Sequence, residues 1–279
     1  MKLARIAVNG SSTVILRGER DAVATVDGRS FADLPELLEA AGGDPGRIQP
    51  GAGVSIDEQQ LLSPVQRPHK IICIGLNYRL HAEESGQPLP PKPVLFPKWD
   101  NAIAGPFEPI PLPRASSRVD WEAELALVFG RRCRNVAAAD AATVVFGFTC
   151  ANDVSMRDFQ FHTSQWGAGK AWDKAAPLGP AVVTLDEVGG VAPDLAIRGL
   201  LNSQVMQDSR TGDFIFHVPA LVEYLTMIMT MEPGDLVLTG TPAGVGSGRT
   251  PPQFLEDGDE YEVQIEKIGS IRNRFVAES

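Results

Sequence analysis

The sequence predicts a β-rich α+β fold, closer to a sandwich or roll than to a doubly wound sheet, behind a small N-terminal domain. Three observations lead there. From Lys70 onward, short apolar runs rich in β-branched residues recur between Gly- and Pro-rich turns. Helical periodicity is scarce, and Val218 to Met229 is the one strong amphipathic helix. Between the two parts lies Ser63-Pro-Val-Gln-Arg-Pro-His69, a polar connector marked by prolines. With 279 residues the chain has ample length for a small domain at 1–66 and a larger one at 67–279.

In the N-terminal part, strand-like pieces at Ile6–Val8, Thr13–Leu16 and Ala22–Val26 alternate with turn signals. A helix is expected over Leu34–Ala41, opened by Ser30-Phe-Ala-Asp33 and closed by Gly42-Gly43. In the larger part the strand candidates are Ile71–Ile74, Val94–Phe96, Leu125–Phe129, Val144–Phe148, Ala181–Thr184, Leu236–Thr239 and Tyr261–Ile265. No repeat or low-complexity tract interrupts them.

A net charge of −10 without a Lys/Arg cluster argues against nucleic acid as a partner. Three cysteines without CxxC spacing read as free thiols in a reducing compartment. The N-terminus lacks the long apolar stretch of a signal peptide, and Leu221–Met231 is too short to span a bilayer. A soluble cytoplasmic protein is the expectation.

Two glutamates one residue apart stand in Asp120-Trp-Glu-Ala-Glu-Leu-Ala-Leu-Val-Phe129. In a strand, Glu122 and Glu124 project from the same face. Buried together, their charges conflict, and a divalent cation removes the conflict. Asp153 follows a second apolar run, and three carboxylates without a nearby imidazole suit a hard ion such as Mg²⁺ or Mn²⁺, with Ca²⁺ as a further option. An edge strand with a solvated acidic face fits the same spacing, and Asp120 extends that alternation.

His81 and Glu84 are three residues apart, hence on one face of a helical turn, where a carboxylate can orient an imidazole as general base. The alternative is a solvated surface pair. Ser85-Gly-Gln-Pro-Leu-Pro-Pro91 suits a mobile lid. Lys170, in Trp166-Gly-Ala-Gly-Lys-Ala-Trp172, can stabilise an oxyanion together with Gln160, or be an exposed loop lysine. Arg157 is a salt-bridge partner or a substrate ligand. The glycine-rich Leu238-Thr-Gly-Thr-Pro-Ala-Gly-Val-Gly-Ser-Gly248 lacks the Gly-Lys-Ser/Thr ending of a phosphate-binding loop.

In order, these motifs resemble the fumarylacetoacetate hydrolase superfamily from about Lys70 to near the end. The resemblance rests on Ile72-Cys-Ile-Gly-Leu-Asn-Tyr78 with His81, Trp121-Glu-Ala-Glu-Leu125 and Asn152-Asp-Val-Ser-Met-Arg-Asp-Phe-Gln160. It continues through Gly169-Lys170, Pro177-Leu-Gly-Pro180 and Gly234-Asp-Leu-Val-Leu-Thr-Gly-Thr-Pro-Ala-Gly-Val-Gly246. Met156 departs mildly from the family's Ser-Ala-Arg-Asp pattern. The resemblance implies a mixed β-sandwich roll, a homodimer and one divalent ion per subunit held by Glu122, Glu124 and Asp153. It further implies a water-activating dyad, His81 and Glu84, and substrate contacts from Gln160, Lys170 and Thr241. The stretch 171–180 departs from fumarylacetoacetate hydrolases in the narrow sense and leaves the substrate open.

The expected activity is metal-dependent hydrolysis of a carbon–carbon bond in a β-diketone acid, such as an acylpyruvate or a 2,4-diketo acid, through an enolate held by the ion. Oxaloacetate decarboxylation or isomerisation of a 2-hydroxy-2,4-dienedioate would use the same site. A non-catalytic oxo-acid-binding protein is a third reading.

Overall fold

In the computed structural model, which describes residues 1–8 and 10–278, strands dominate. Thirteen of them form one twisted sheet. Its main path runs through Arg29–Ser30, Ala22–Val26, Ser11–Arg17, Lys2–Val8, Ala176–Thr184, Val145–Asn152, Ala123–Phe129, Leu236–Leu238, Ile71–Gly75 and Val94–Lys98. A five-stranded sheet, ordered Ile110–Leu112, Gly269–Ala277, Glu260–Ile265, Ala196–Leu201 and Gln204–Arg210, packs against it. The β-rich α+β expectation holds.

The core explains this layering. Val145–Asn152 and Ala123–Phe129 are buried at every residue, as central strands covered on both faces must be. One face contributes Leu125, Leu127, Phe129 and Phe148 to a cluster shared with Tyr261, Val263, Ile271 and Phe275 of the smaller sheet. The other contributes Ala126, Val128 and Phe146 to a cluster with Leu34, Leu37 and Leu38 of the N-terminal helix. The N-terminal strand Lys2–Val8 pairs antiparallel with Ala176–Thr184, Lys2 facing Val183, so the sheet is continuous across residues 1–66 and the remainder.

The helix Leu34–Ala41 forms where expected. Asp33 caps its first amide, and Gly42 ends it at φ 65°, a conformation glycine adopts without steric cost. The amphipathic helix spans Val218–Ile228. Besides several short strands, the long strands Ala196–Leu201, Gln204–Arg210 and Gly269–Ala277 lay outside the expected set. Each carries charged residues on its exposed positions, Arg198, Asp208 and Arg210, and Arg272 and Arg274, which interrupt the apolar run although alternate residues such as Ile197, Ile271 and Phe275 are buried. Among the described residues, no helix is long and apolar enough to cross a membrane.

Candidate active site

The site begins where two antiparallel central strands end side by side. Glu122 directly precedes Ala123–Phe129 and Glu124 lies within it; Asp153 directly follows Val145–Asn152, and Ala123 faces Asn152 across the ladder. The junction is locked from both sides. The Asp153 amide donates to the Glu122 carbonyl at 3.0 Å, and the Glu122 amide donates to Asn152 Oδ1 at 3.0 Å. One carboxylate oxygen from each of Glu122, Glu124 and Asp153 lies within 4.8 Å of the others. All three acids are buried, and Asp120 is fully so. A solvated acidic face is therefore not what the alternation encodes.

Burying four carboxylates requires cations, and three buried ones meet them. Lys170 is 2 % exposed, not a loop-tip lysine, and its Nζ bridges Glu122 Oε2 at 2.7 Å and Asp153 Oδ2 at 2.9 Å. Arg157 Nε donates to Asp120 Oδ2 at 2.7 Å, and its Nη1 lies 2.6 Å from Glu122 Oε1. The third cation, Lys98, escaped the sequence reading because a lysine closing Val94-Leu-Phe-Pro-Lys98 looks like a solvated strand end. Its Nζ sits 2.8 Å from Asp153 Oδ1, yet its three N–H donors go to the carbonyls of Val154, Lys170 and Ala175.

Glu124 is the acid left without a cation. Among the described residues only the Gly240 amide donates to it, at 2.7 Å. Burial, then Asp153 and Glu122, push its carboxyl well above the usual range. Glu122 goes the other way. Burial would raise it, but Lys170 and Arg157 outweigh burial and hold it at about 2. Two carboxylates one residue apart thus differ because one faces cations and the other faces anions.

A divalent cation fits this donor set. It supplies the charge that Glu124 lacks, and three carboxylate oxygens are the ligands a hard ion prefers. Asp153 Oδ1 is a buried acceptor that receives no hydrogen bond, because Lys98 offers it charge but no remaining proton.

The glycine-rich loop holds the acids with its backbone. Gly240 (φ 99°) donates to Glu124 and Gly244 (φ 106°) donates to Glu84 Oε1 at 2.9 Å; both conformations exclude most side-chain-bearing residues. The Gly246 and Ser247 amides clamp the two oxygens of Asp120 at 2.7 and 2.9 Å. His81 and Glu84 lie on the short helix Arg79–Glu84, with Nδ1 3.0 Å from Glu84 Oε2. That contact leaves Nε2 as the working nitrogen.

Gln160 accepts from Arg157 Nη1 through Oε1 at 3.0 Å, keeping its amide nitrogen for another acceptor. Among the described residues Arg157 Nη2 is buried with no partner, so Arg157 has both an ion-pairing role and a spare donor. The Thr241 hydroxyl donates to the Ala123 carbonyl at 2.9 Å and accepts from Gln207 Nε2 at 2.8 Å. It can therefore offer a substrate only a lone pair. Gln207, fully buried and held by Tyr261, fixes that orientation, and the polar strand carrying it showed no sequence signal. Lys170, Gln160, His81, Glu84, Thr241, Glu122 and Glu124 all line one cleft of about 610 Å³, the size range of small-molecule sites.

Fold and site together define an enzyme-type cleft built around a carboxylate cluster. Residues 70–276 match the fumarylacetoacetate (FAA) hydrolase C-terminal family, and the chain belongs to that family. Oxaloacetate tautomerase FAHD2A, mitochondrial, from Bos taurus is 45% identical over 221 residues, covering 78% of this chain and 70% of that protein. The structure of 2-hydroxyhepta-2,4-diene-1,7-dioate isomerase from Mycobacterium marinum superimposes at TM-score 0.76 with 34% identity, covering 100% of this chain and 99% of the other. Fumarylacetoacetate hydrolase from Exiguobacterium antarcticum superimposes at TM-score 0.85 with 30% identity and full coverage of both chains. The family's named members here are enzymes.

Proposed function

We propose that the protein is a divalent-metal-dependent enzyme that forms and reprotonates the enolate of a 2-oxo acid. The observation carrying this reading is the buried acid trio, one member lacking a cation, two of whose acids, Glu122 and Glu124, line the same cleft as the His81–Glu84 pair. Mg²⁺, held by Glu122, Glu124 and Asp153, would act as a Lewis acid toward a 2-oxo-carboxylate. Everything else falls to the chain. Arg157 Nη2, Gln160 Nε2 and Lys170 Nζ are donors for substrate oxygens, and Lys170 carries the charge that an enolate oxygen needs. Thr241 accepts from an enolic hydroxyl. His81 Nε2 takes a proton, and Glu84 stabilises the imidazolium and keeps the ring in one tautomer.

Where that proton comes from decides the reaction. Taken from the carbon beside the oxo group, it gives keto–enol tautomerisation or double-bond isomerisation, and the names of the similar proteins support this outcome first. Taken from a water, it gives hydrolysis of a carbon–carbon bond, the outcome the motifs suggested. For the second reading, Glu84, anchored to His81 and the Gly244 amide, would hold the His81 ring in place as the base that activates water. Incubation with Mg²⁺ and oxaloacetate, an acylpyruvate or a dienedioate, followed by NMR, separates the cases. Exchange or isomerisation without fragmentation supports the first, pyruvate plus a second acid the second, and no reaction of any substrate refutes both. A homodimer belongs to the same proposal, tested by light scattering.

A further inference from the structure

Four basic side chains line the cleft: His81, Arg157, Lys170 and Arg249. Three already have acidic partners, namely Glu84 for His81, Asp120 and Glu122 for Arg157, and Glu122 and Asp153 for Lys170. Arg249 differs. It is partly buried, and among the described residues no carboxylate lies within ion-pairing distance of its guanidinium. Glu84 is the obvious rival, because Gly248 packs directly against it, but its two oxygens are turned to His81 and the Gly244 amide and it makes no ion pair with Arg249.

The backbone around Arg249 is held in place. It follows the turn Gly246–Gly248, whose first two amides are fixed to Asp120, and its own amide donates to the Gly246 carbonyl at 3.3 Å. A planar fork of donors on an anchored loop, with no internal acid, is arranged for a carboxylate that arrives from outside. The metal-facing end of the cleft already has its own donors for the reacting carboxylate, in Arg157, Gln160 and Lys170.

We propose that Arg249 binds a second carboxylate at the far end of the substrate, so the enzyme selects oxo-diacids over oxo-acids with a neutral tail. This rests on the oxo-acid reading above and narrows it, placing the simple acylpyruvates among the poor substrates.

Wild type, Arg249→Ala and Arg249→Lys should be compared, with Mg²⁺ present, on oxaloacetate and its 4-monoester. The diacid-to-monoester ratio of kcat/KM should fall by about tenfold to a hundredfold in Arg249→Ala, chiefly through KM, because one charge-assisted hydrogen-bonded pair is lost. Arg249→Lys should recover part of the ratio, keeping charge without the fork. Calorimetry with 2-oxoglutarate and 2-oxoglutaramate gives the same comparison without turnover. An unchanged ratio in both measurements would make Arg249 a solvated loop residue and overturn the proposal. If no substrate reacts but the binding ratio still falls, the oxo-acid chemistry fails while the carboxylate subsite stands.

Discussion

The two halves of the cleft are built differently. The acid trio sits at the ends of central strands, buried, with each acid held by backbone amides or lysine and arginine nitrogens. The His81–Glu84 half sits on a six-residue helix beside the proline-rich stretch to Pro91, with Leu80 and Leu89 exposed on it. Ties outside that helix are the Gly244 amide, which donates to Glu84, and Asp213, which accepts from the Leu80 amide at 3.3 Å. The contrast teaches that stability and charge balance are concentrated where an ion would sit, whereas the proton-transfer group is mounted on a short helix outside the sheet ladder.

Removing an acid from the trio tests the first half most severely. Asp153→Ala strips Lys98 of its carboxylate and Lys170 of one of its two, and breaking a buried pair costs about 3–5 kcal/mol. Chemical denaturation should show that loss, and calorimetry should show Mg²⁺ binding abolished. Should both remain near wild type, the charge-balance account is wrong.

His81→Ala should separate the halves. Loss of a general base lowers kcat by about 10²–10⁴-fold, while Mg²⁺ affinity and the unfolding midpoint stay within error. A drop in metal affinity comparable to the drop in kcat would merge the two regions into one.

The metal-free protein should show a pH signature of the first half. Glu124 has a raised pKa in the folded state, so folded protein holds a proton that the unfolded chain releases above the usual 4.5. Its contribution to stability is therefore complete below that value and is lost as pH rises toward the folded pKa. The slope is at most about 1.4 kcal/mol per pH unit for one proton. Saturating Mg²⁺ should flatten this slope, since the ion replaces the proton, and Mg²⁺ affinity should rise with pH over the same window. Glu122 acts oppositely, its stabilisation vanishing only as pH falls from 4.5 through about 2. Denaturation curves across this range, with and without Mg²⁺, check both signs.

The smallest effect belongs to the end of the helix in the second half. Gly86 closes the His81 helix at φ 62° with open space around it, so Gly86→Ala costs only the backbone strain, about 1 kcal/mol. We expect a few-fold change in KM or kcat with no change in Mg²⁺ binding. A change in Mg²⁺ affinity would couple Gly86 to the trio.

Legibility in the sequence follows the same divide. The trio was readable because period two places Glu122 and Glu124 on one face and an apolar run delivers Asp153 nearby. The Leu34–Ala41 helix was readable from its caps. Lys98, Gln207 and Arg249 were not, since each stands in a locally ordinary setting: a strand end, a polar edge strand and a glycine-rich loop. Asp120 and Arg157 were visible as residues but not as a pair, because 37 positions separate them.

By itself, the sequence determined the β-rich class, the family and the three carboxylates, because local periodicity and residue chemistry are carried by neighbours in the chain. Only the tertiary structure decided which charges meet. It set Glu122 against Lys170 and Arg157, left Glu124 among anions, and buried Lys98 beneath Asp153. Those pairings depend on distances across strands and loops far apart in sequence. Electrostatic energies in a buried site change steeply with such distances, so the working state of each acid is a property of the fold.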